Sequence, residues 1–288
     1  MTHTPLLARL TERLEELTAL DPLVARARTV VAKALPSQRV RDLLHGVRLG
    51  HPLHPALIAV PLGSFTSVAV LDALPGTGPA ANALLISGLV GALPSAAAGW
   101  ADWQALHEQQ QRVGLVHAVA NITALGAYAV SLASRRGGRE GRGKVWAYAG
   151  LALVAAGGYL GGHLAYRQAA GANHVEDVPH RVPPGWHAVG ELAALPEGRP
   201  AHRSLGGVDL IVVRTGPGAQ VLAGLCSHLS APLWDGELAG GCLTCPWHGS
   251  VFRIADGAVV HGPATSPQPH FRTRVRQGRL EVCLPGAG

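Results

Sequence analysis

The stretch CSHLSAPLWDGELAGGCLTCPWHGS, residues 226–250, pairs a thiol with an imidazole twice. Cys226-Ser227-His228 is followed, after 16 residues, by Cys245-Pro246-Trp247-His248. Each short segment offers one sulfur and one nitrogen donor. A binuclear iron-sulfur cluster with two Cys on one iron and two His on the other needs this inventory, because thiolate suits sulfide-bridged ferric iron and neutral imidazole replaces it at the second iron. A structural zinc site is the competing assignment. Its usual spacing pairs Cys with Cys and His with His, whereas here the two types alternate. Cys242 forms C-x-x-C with Cys245 and so suggests a redox dithiol; if Cys245 binds metal, that reading fails and Cys242 becomes a strand residue. Cys283 lies on an apolar alternation and reads as packing.

Around this stretch the sequence breaks into short apolar or β-branched runs at 208–214, 219–222, 250–254, 258–260, 273–276 and 279–283, separated by Gly-Pro, Asp-Gly and Gln-Gly turns. That texture predicts a small all-β domain over 186–288. Residues 167–185, rich in Pro and Gly breakers, have the composition of a linker.

Upstream the texture changes. Four stretches contain no Asp, Glu, Lys or Arg: 55–71, 73–101, 113–134 and 145–166. A helix crossing the hydrocarbon core needs about 20 mainly apolar residues, so spans are expected at about 55–74, 80–101, 113–134 and 145–166, within a domain covering 51–166. Glycine and proline inside them (Pro61, Gly88, Gly91, Pro94, Gly157, Gly158) suit membrane helices better than soluble ones. A soluble Ala-rich bundle is the alternative, and it requires polar faces. Residues 1–50 differ again: leucines at 7, 10, 14 and 17 alternate with charge, which predicts amphipathic helices lying on the membrane or packing on the bundle. No uninterrupted apolar core precedes a cleavage-like site, so a secretory signal is not expected. The fold class is α+β with two domains, an N-terminal four-helix transmembrane bundle followed by a small all-β domain.

Composition agrees. Of 288 residues, 48% are hydrophobic and 15% charged, against roughly 25% charged in soluble domains. This excludes disorder over most of the chain, and 4 Cys are too few for a disulfide scaffold. The net charge of +6 would permit nucleic acid as a partner, but much of the basic charge flanks the spans, which argues for lipid and against nucleic acid.

C-x-H followed by C-x-x-H-Gly-Ser resembles the Rieske [2Fe-2S] domain, and the resemblance runs from Trp186 to Val282 through Phe252, Asp256-Gly257, Gly262-Pro263 and Pro269. It implies one [2Fe-2S] cluster, with Cys226 and Cys245 on one iron and His228 and His248 on the other. Rieske proteins of quinol-oxidising complexes carry two further Cys that bridge the cluster loops. Here those positions are Ala231 and Trp247. That is similar to ferredoxin-type Rieske domains and removes one argument for an oxidising compartment. Ser250 stands where the family has a serine bonded to a bridging sulfide, while Phe252 replaces a tyrosine that donates to a Cys sulfur. Fewer donors stabilise the reduced cluster less, so the expected potential lies below that of quinol-oxidising complexes, within the roughly −150 to +300 mV Rieske range. The region from about Leu43 to Tyr166, with HPLHP, GWADW, LVHA and GGHLAY, resembles a bacterial family of four-helix membrane proteins of unknown function, some of them fused to Rieske domains.

Four spans put both chain ends on one side. Alternating direction then brings His51, His54, His117 and His163 to that side. Ionisable groups at a membrane boundary mark functional sites by default, so these four are a candidate site for a haem, a metal ion or a quinone. The competing reading is that they reach water or headgroups and cap helices. Basic residues flank both sides of the spans, and the missing bridge and signal place the β domain on the cytoplasmic face of a bacterial cell membrane. The leading function is a membrane-anchored Rieske-type electron-transfer protein, a component of an oxidoreductase system with an unidentified redox donor and acceptor, which are proteins or quinone. The alternatives are a redox-sensing or assembly protein of a membrane complex, or the electron-transfer component of an oxygenase whose catalytic subunit is a separate chain. Only 40 residues follow His248, too few for a catalytic domain.

Overall fold

The computed structural model describes residues 6–285, and the chain divides into two compact units: 6–36 with Leu53–Ala170, and Ser37–Pro52 with 171–285. The first is helical. Its segments are α1 (Leu6–Glu15), α2 (Asp21–Ala34), α4 (Leu53–Leu57), α5 (Ala59–Asp72), α6 (Gly78–Gln104), α7 (Glu108–Arg136) and α8 (Glu140–Gly162), with α8 continued by a π-helical turn at His163–Arg167; α3 (Gln38–His45) belongs to the second unit. Among the described residues, four stretches are long and apolar enough to cross a membrane: Leu53–Asp72, Gly78–Gln104, Glu108–Arg136 and Glu140–Arg167. The last two outrun the uncharged windows because charged residues at their ends continue the helices. His107 and Gln110 form a capping box before α7, and Arg135 and Arg136 occupy its last turn, where cations oppose the helix dipole.

Helices α5 to α8 each touch two neighbours and close a four-helix bundle. Small residues let them approach. The rings of Phe65 and Tyr128 stack with centroids 3.8 Å apart, and a Cβ at Gly88 or Gly150 would fall 2.5 Å from Phe65 or 2.9 Å from Tyr128. At one end the buried Arg135 pairs with the buried Asp72, bonds Ser131 and lies against Gly143. Outward the bundle presents Val60, Leu62, Val70, Val90, Leu93, Val119, Ile122 and Val145. Large apolar residues cover the outside, while inside Gly, Ala and Ser sit among Phe65, Val68, Leu85 and Tyr128 and let the helices approach closely. Helix α1 packs on the bundle by its polar edge, with Glu12 paired to Arg167 and Glu15 to His163, while Leu6, Leu7 and Leu10 point away from it.

The second unit is all-β but for short helices. One antiparallel sheet has the order β1-β10-β9-β4-β3-β2, from β1 (His187–Glu191), β2 (Pro200–Leu205), β3 (Val208–Thr215), β4 (Gly218–Ala223), β9 (His270–Arg276) and β10 (Arg279–Cys283). A second, β5-β6-β7-β8, comprises β5 (Glu237–Ala239), β6 (Cys242–Thr244), β7 (Val251–Arg253) and β8 (Val259–His261). Strand β3 is buried on both faces. Leu210 and Val212 join one core, whereas Ile211 and Val213 join a second that contains Leu243, Phe252, Cys226 and Cys245. The near-continuous apolar run of that strand follows from two-sided burial.

Two expected boundaries move. Residues 171–185 are not a free linker: Val175, Val178 and Val182 enter the first core, with α9 (Val178–Arg181) among them. Of the N-terminal 1–50, expected to form amphipathic helices, Ser37–Pro52 packs with the β unit.

Candidate metal centre

The two Cys-His segments are loops built to one local plan. Cys226 N–H donates to Ala231 O at 2.8 Å and Ser230 N–H returns to Cys226 O at 2.8 Å. In the other loop, Cys245 N–H donates to Ser250 O at 2.7 Å and Gly249 N–H returns to Cys245 O at 3.1 Å. Each loop closes over six residues and turns through a left-handed residue four places after its cysteine, Ser230 at φ 59° and Gly249 at φ 73°. Glycine adopts that conformation freely and serine at a cost. The amide hydrogens two and three places after each cysteine point at its sulfur: His228 and Leu229 at Cys226, Trp247 and His248 at Cys245.

The loops bring the donors together in two pairs. Cys226 and Cys245 are buried with their sulfurs in hydrogen-bonding contact, and the rings of His228 and His248 lie edge to face with centroids 5.1 Å apart. The cysteines face the core, whereas His228 is 8% exposed and His248 half-buried. The hydrogen bond from Cys226 draws the Cys245 thiol below its ordinary pKa against the opposing effect of burial, and the Trp247 and His248 amides add to this. Holding the partner thiolate and being buried push Cys226 up. Among the described residues no three His, Cys, Asp or Glu gather as a mononuclear metal site would require. Two thiols and two imidazoles are the donor inventory of a binuclear iron-sulfur centre.

A third segment, 262–269, ties the loops together. Ser250 Oγ, fully buried, accepts the Ala264 N–H at 2.9 Å, and Ser227 Oγ donates to Ser266 O at 2.7 Å. Ala231 is buried in the second core, whereas the Trp247 ring is half-exposed beside His248. Cys242 lies in β6. Ser227 and Asp42, which accepts from His261 and Gly262, were not legible as site residues. Serine after the first cysteine is a weak signal, and Asp42 lies 220 residues from Gly262.

The histidines expected near the membrane boundary each have their own local setting. His51 is exposed and belongs to the second unit. His54 Nδ1 lies 2.8 Å from Ser95 O, His117 Nδ1 2.7 Å from Gly157 O, and His163 Nε2 2.6 Å from Glu15 Oε1. Each of these three ties one helix to another.

Comparison with known proteins separates the two halves. Residues 185–272 match the family described as Rieske [2Fe-2S] domain, and residues 50–174 match the one described as predicted membrane protein (DUF2231). The ferredoxin subunit of anthranilate 1,2-dioxygenase from Burkholderia cepacia is 34% identical over 97 residues, covering 34% of this chain and 90% of that protein. Ferredoxin CarAc of Metapseudomonas resinovorans is 32% identical over 79 residues, 27% of this chain and 74% of that protein. Among solved structures, the ferredoxin of carbazole 1,9a-dioxygenase from Nocardioides aromaticivorans IC177 is 27% identical, with a TM-score of 0.33 over 34% of this chain and 97% of that one.

Proposed function

Because the chain belongs to the Rieske [2Fe-2S] family and carries a DUF2231 domain ahead of its ferredoxin-type electron-transfer domain, we propose that it is a membrane-anchored one-electron carrier. Cys226 and Cys245 would hold one iron, and His228 and His248 the other. The observation that carries this is that the two matched loops bring their cysteine sulfurs into contact with each other and their histidine rings edge to face. Such a cluster, when bound, would give the site its one-electron chemistry. The chain's own residues do the rest: four amide hydrogens aim at the two sulfurs, Ser250 Oγ holds the Ala264 amide of the segment across the loops, and the apolar core behind the cysteines excludes water. His228 and His248 occupy the more open side, where electrons enter and leave.

Anchoring rests on the four long helices and their outward apolar residues. The helices sit in a bacterial cell membrane with the β domain on the cytoplasmic face, consistent with Ala231 and Trp247 standing where a bridging disulfide would otherwise be. The named relatives are ferredoxins, and by analogy the donor is a reductase and the acceptor an oxygenase component on a separate chain. The test is to fractionate expressing cells, wash the membranes with alkaline carbonate and follow the reduction of the retained protein by a ferredoxin reductase. Retention with uptake of one electron per chain is expected. Release by carbonate would refute anchoring, and failure to accept an electron would refute the carrier role.

A further inference from the structure

Residues 37–49 lie outside both family matches, yet Ser37–Pro52 packs as part of the β unit. Helix α3, closed by Gly46 in the left-handed conformation, presents Asp42 to the end of β8. Asp42 Oδ1 accepts the Gly262 N–H at 2.9 Å and Gln38 Nε2 at 2.8 Å, and Oδ2 lies 2.8 Å from His261 Nδ1. The fit beside this carboxylate is close. His45 is buried, and a Cβ on Gly262 would fall 3.0 Å from Val47 Cγ2 and 3.2 Å from His45 Cδ2. Burial by itself would raise the Asp42 carboxyl, but the hydrogen bonds from His261, Gly262 and Gln38 outweigh it and hold the group below its ordinary pKa.

Gly262 opens the segment that ties the ligand loops together. Pro263, Pro267 and Pro269 carry no N–H, so this segment has few donors with which to be held. Three are engaged in protein hydrogen bonds: Gly262 with Asp42, Ala264 with Ser250 Oγ, and Gln268 with Gly257 O at 2.9 Å. The bond to Asp42 is the charge-assisted one of the three and the strongest by kind. It lies two residues from the bond to Ser250.

We infer that Ser37–Pro52 is an integral brace of the cluster domain and that Asp42 is a positioning residue, acting through Gly262 to hold segment 262–269 across both ligand loops. The brace thereby sets the polarity and water access around the metal. This rests on the cluster reading proposed above.

The test uses the full chain in detergent, as wild type, Asp42→Ala, Asp42→Asn, Gly262→Ala and the exposed control Arg39→Ala. Amide exchange over 262–269 is followed in metal-free protein, and the midpoint potential and EPR line shape in loaded protein. Asp42→Ala should speed exchange at Gly262 and Ala264 by about tenfold or more, the loss of one charge-assisted bond, and should shift the midpoint. Asp42→Asn keeps a carbonyl acceptor for the Gly262 N–H and should fall between. Gly262→Ala should reproduce the loosening by wedging the segment away from His45 and Val47. Asp42→Ala that matches Arg39→Ala in both exchange and potential overturns the inference. If Asp42→Ala does not fold, unchanged exchange and potential in both other variants overturns it. A wild type without any cluster signal would refute the carrier reading instead, while the exchange measurement would still decide the brace.

Discussion

Replacing Ser250 with alanine removes one oxygen from an enclosed point of the cluster site and has two separable consequences. Ser250 is 0% exposed and its Oγ accepts the Ala264 N–H at 2.9 Å, so its own proton is left to donate towards the proposed cluster. In Ser250→Ala the Ala264 amide becomes a buried donor without an acceptor, a loss of about 1–3 kcal/mol. For a unit of this size each kcal/mol lowers the melting temperature by roughly 4 °C. A donor to a cluster sulfur favours the more negative reduced form. If the bond is worth about 1 kcal/mol more to that form, its loss lowers a one-electron midpoint by about 40 mV. Potentiometric titration followed by EPR reads the second effect and thermal melting the first. A lower melting temperature with an unchanged or raised midpoint would refute donation from the Ser250 hydroxyl to the cluster.

Other perturbations test the surrounding structure. Gly249 turns the second ligand loop at φ 73°, so Gly249→Ala should cost about 1–2 kcal/mol, seen as a lower melting temperature; no change would mean that the loop does not depend on this conformation. Arg135→Ala strands the buried Asp72 carboxylate, whose side chain is 1% exposed, and should destabilise the bundle in detergent by about 3–5 kcal/mol; less than about 1 kcal/mol would contradict a buried pair. The Asp42 carboxyl has its folded-state pKa lowered below the unfolded value, so its stabilisation is fully present above about pH 3.9 and is lost as pH falls through the folded value. The difference in melting temperature between wild type and Asp42→Asn should therefore be constant near neutrality and shrink in acid; a difference that grew in acid would reverse the sign of this linkage.

What could be read from sequence was local. The Cys226–His228 and Cys245–His248 segments carry their chemistry within a few residues, and the absence of charge marks each span without reference to any neighbour. Expected strands at 208–214 and 279–283 correspond to β3 and β10, whose cores impose apolar residues. Strands β1, β2, β5 and β6 went unread because they are short or carry polar residues at the solvent face, as His202 and Ser204 do in β2. Pro and Gly made 167–185 look like linker, although Val175, Val178 and Val182 recur near helical spacing and enter the core. Helix α3 could not be assigned to the β domain from sequence, since Asp42 finds its acceptor role 219 and 220 residues away. Likewise the histidines near the spans could be placed by helix direction only, which says nothing of the carbonyls of Ser95 and Gly157 beside their rings.

The most direct measurement is EPR of the reduced protein purified from membranes, with wild type compared against His228→Ala, His248→Ala and Cys242→Ser. Wild type and Cys242→Ser should show a Rieske-type signal accounting for one cluster per chain, and both histidine variants should lose it. A Rieske signal that survives in either histidine variant, or a wild type that carries zinc and gives no signal, would contradict ligation by Cys226, Cys245, His228 and His248.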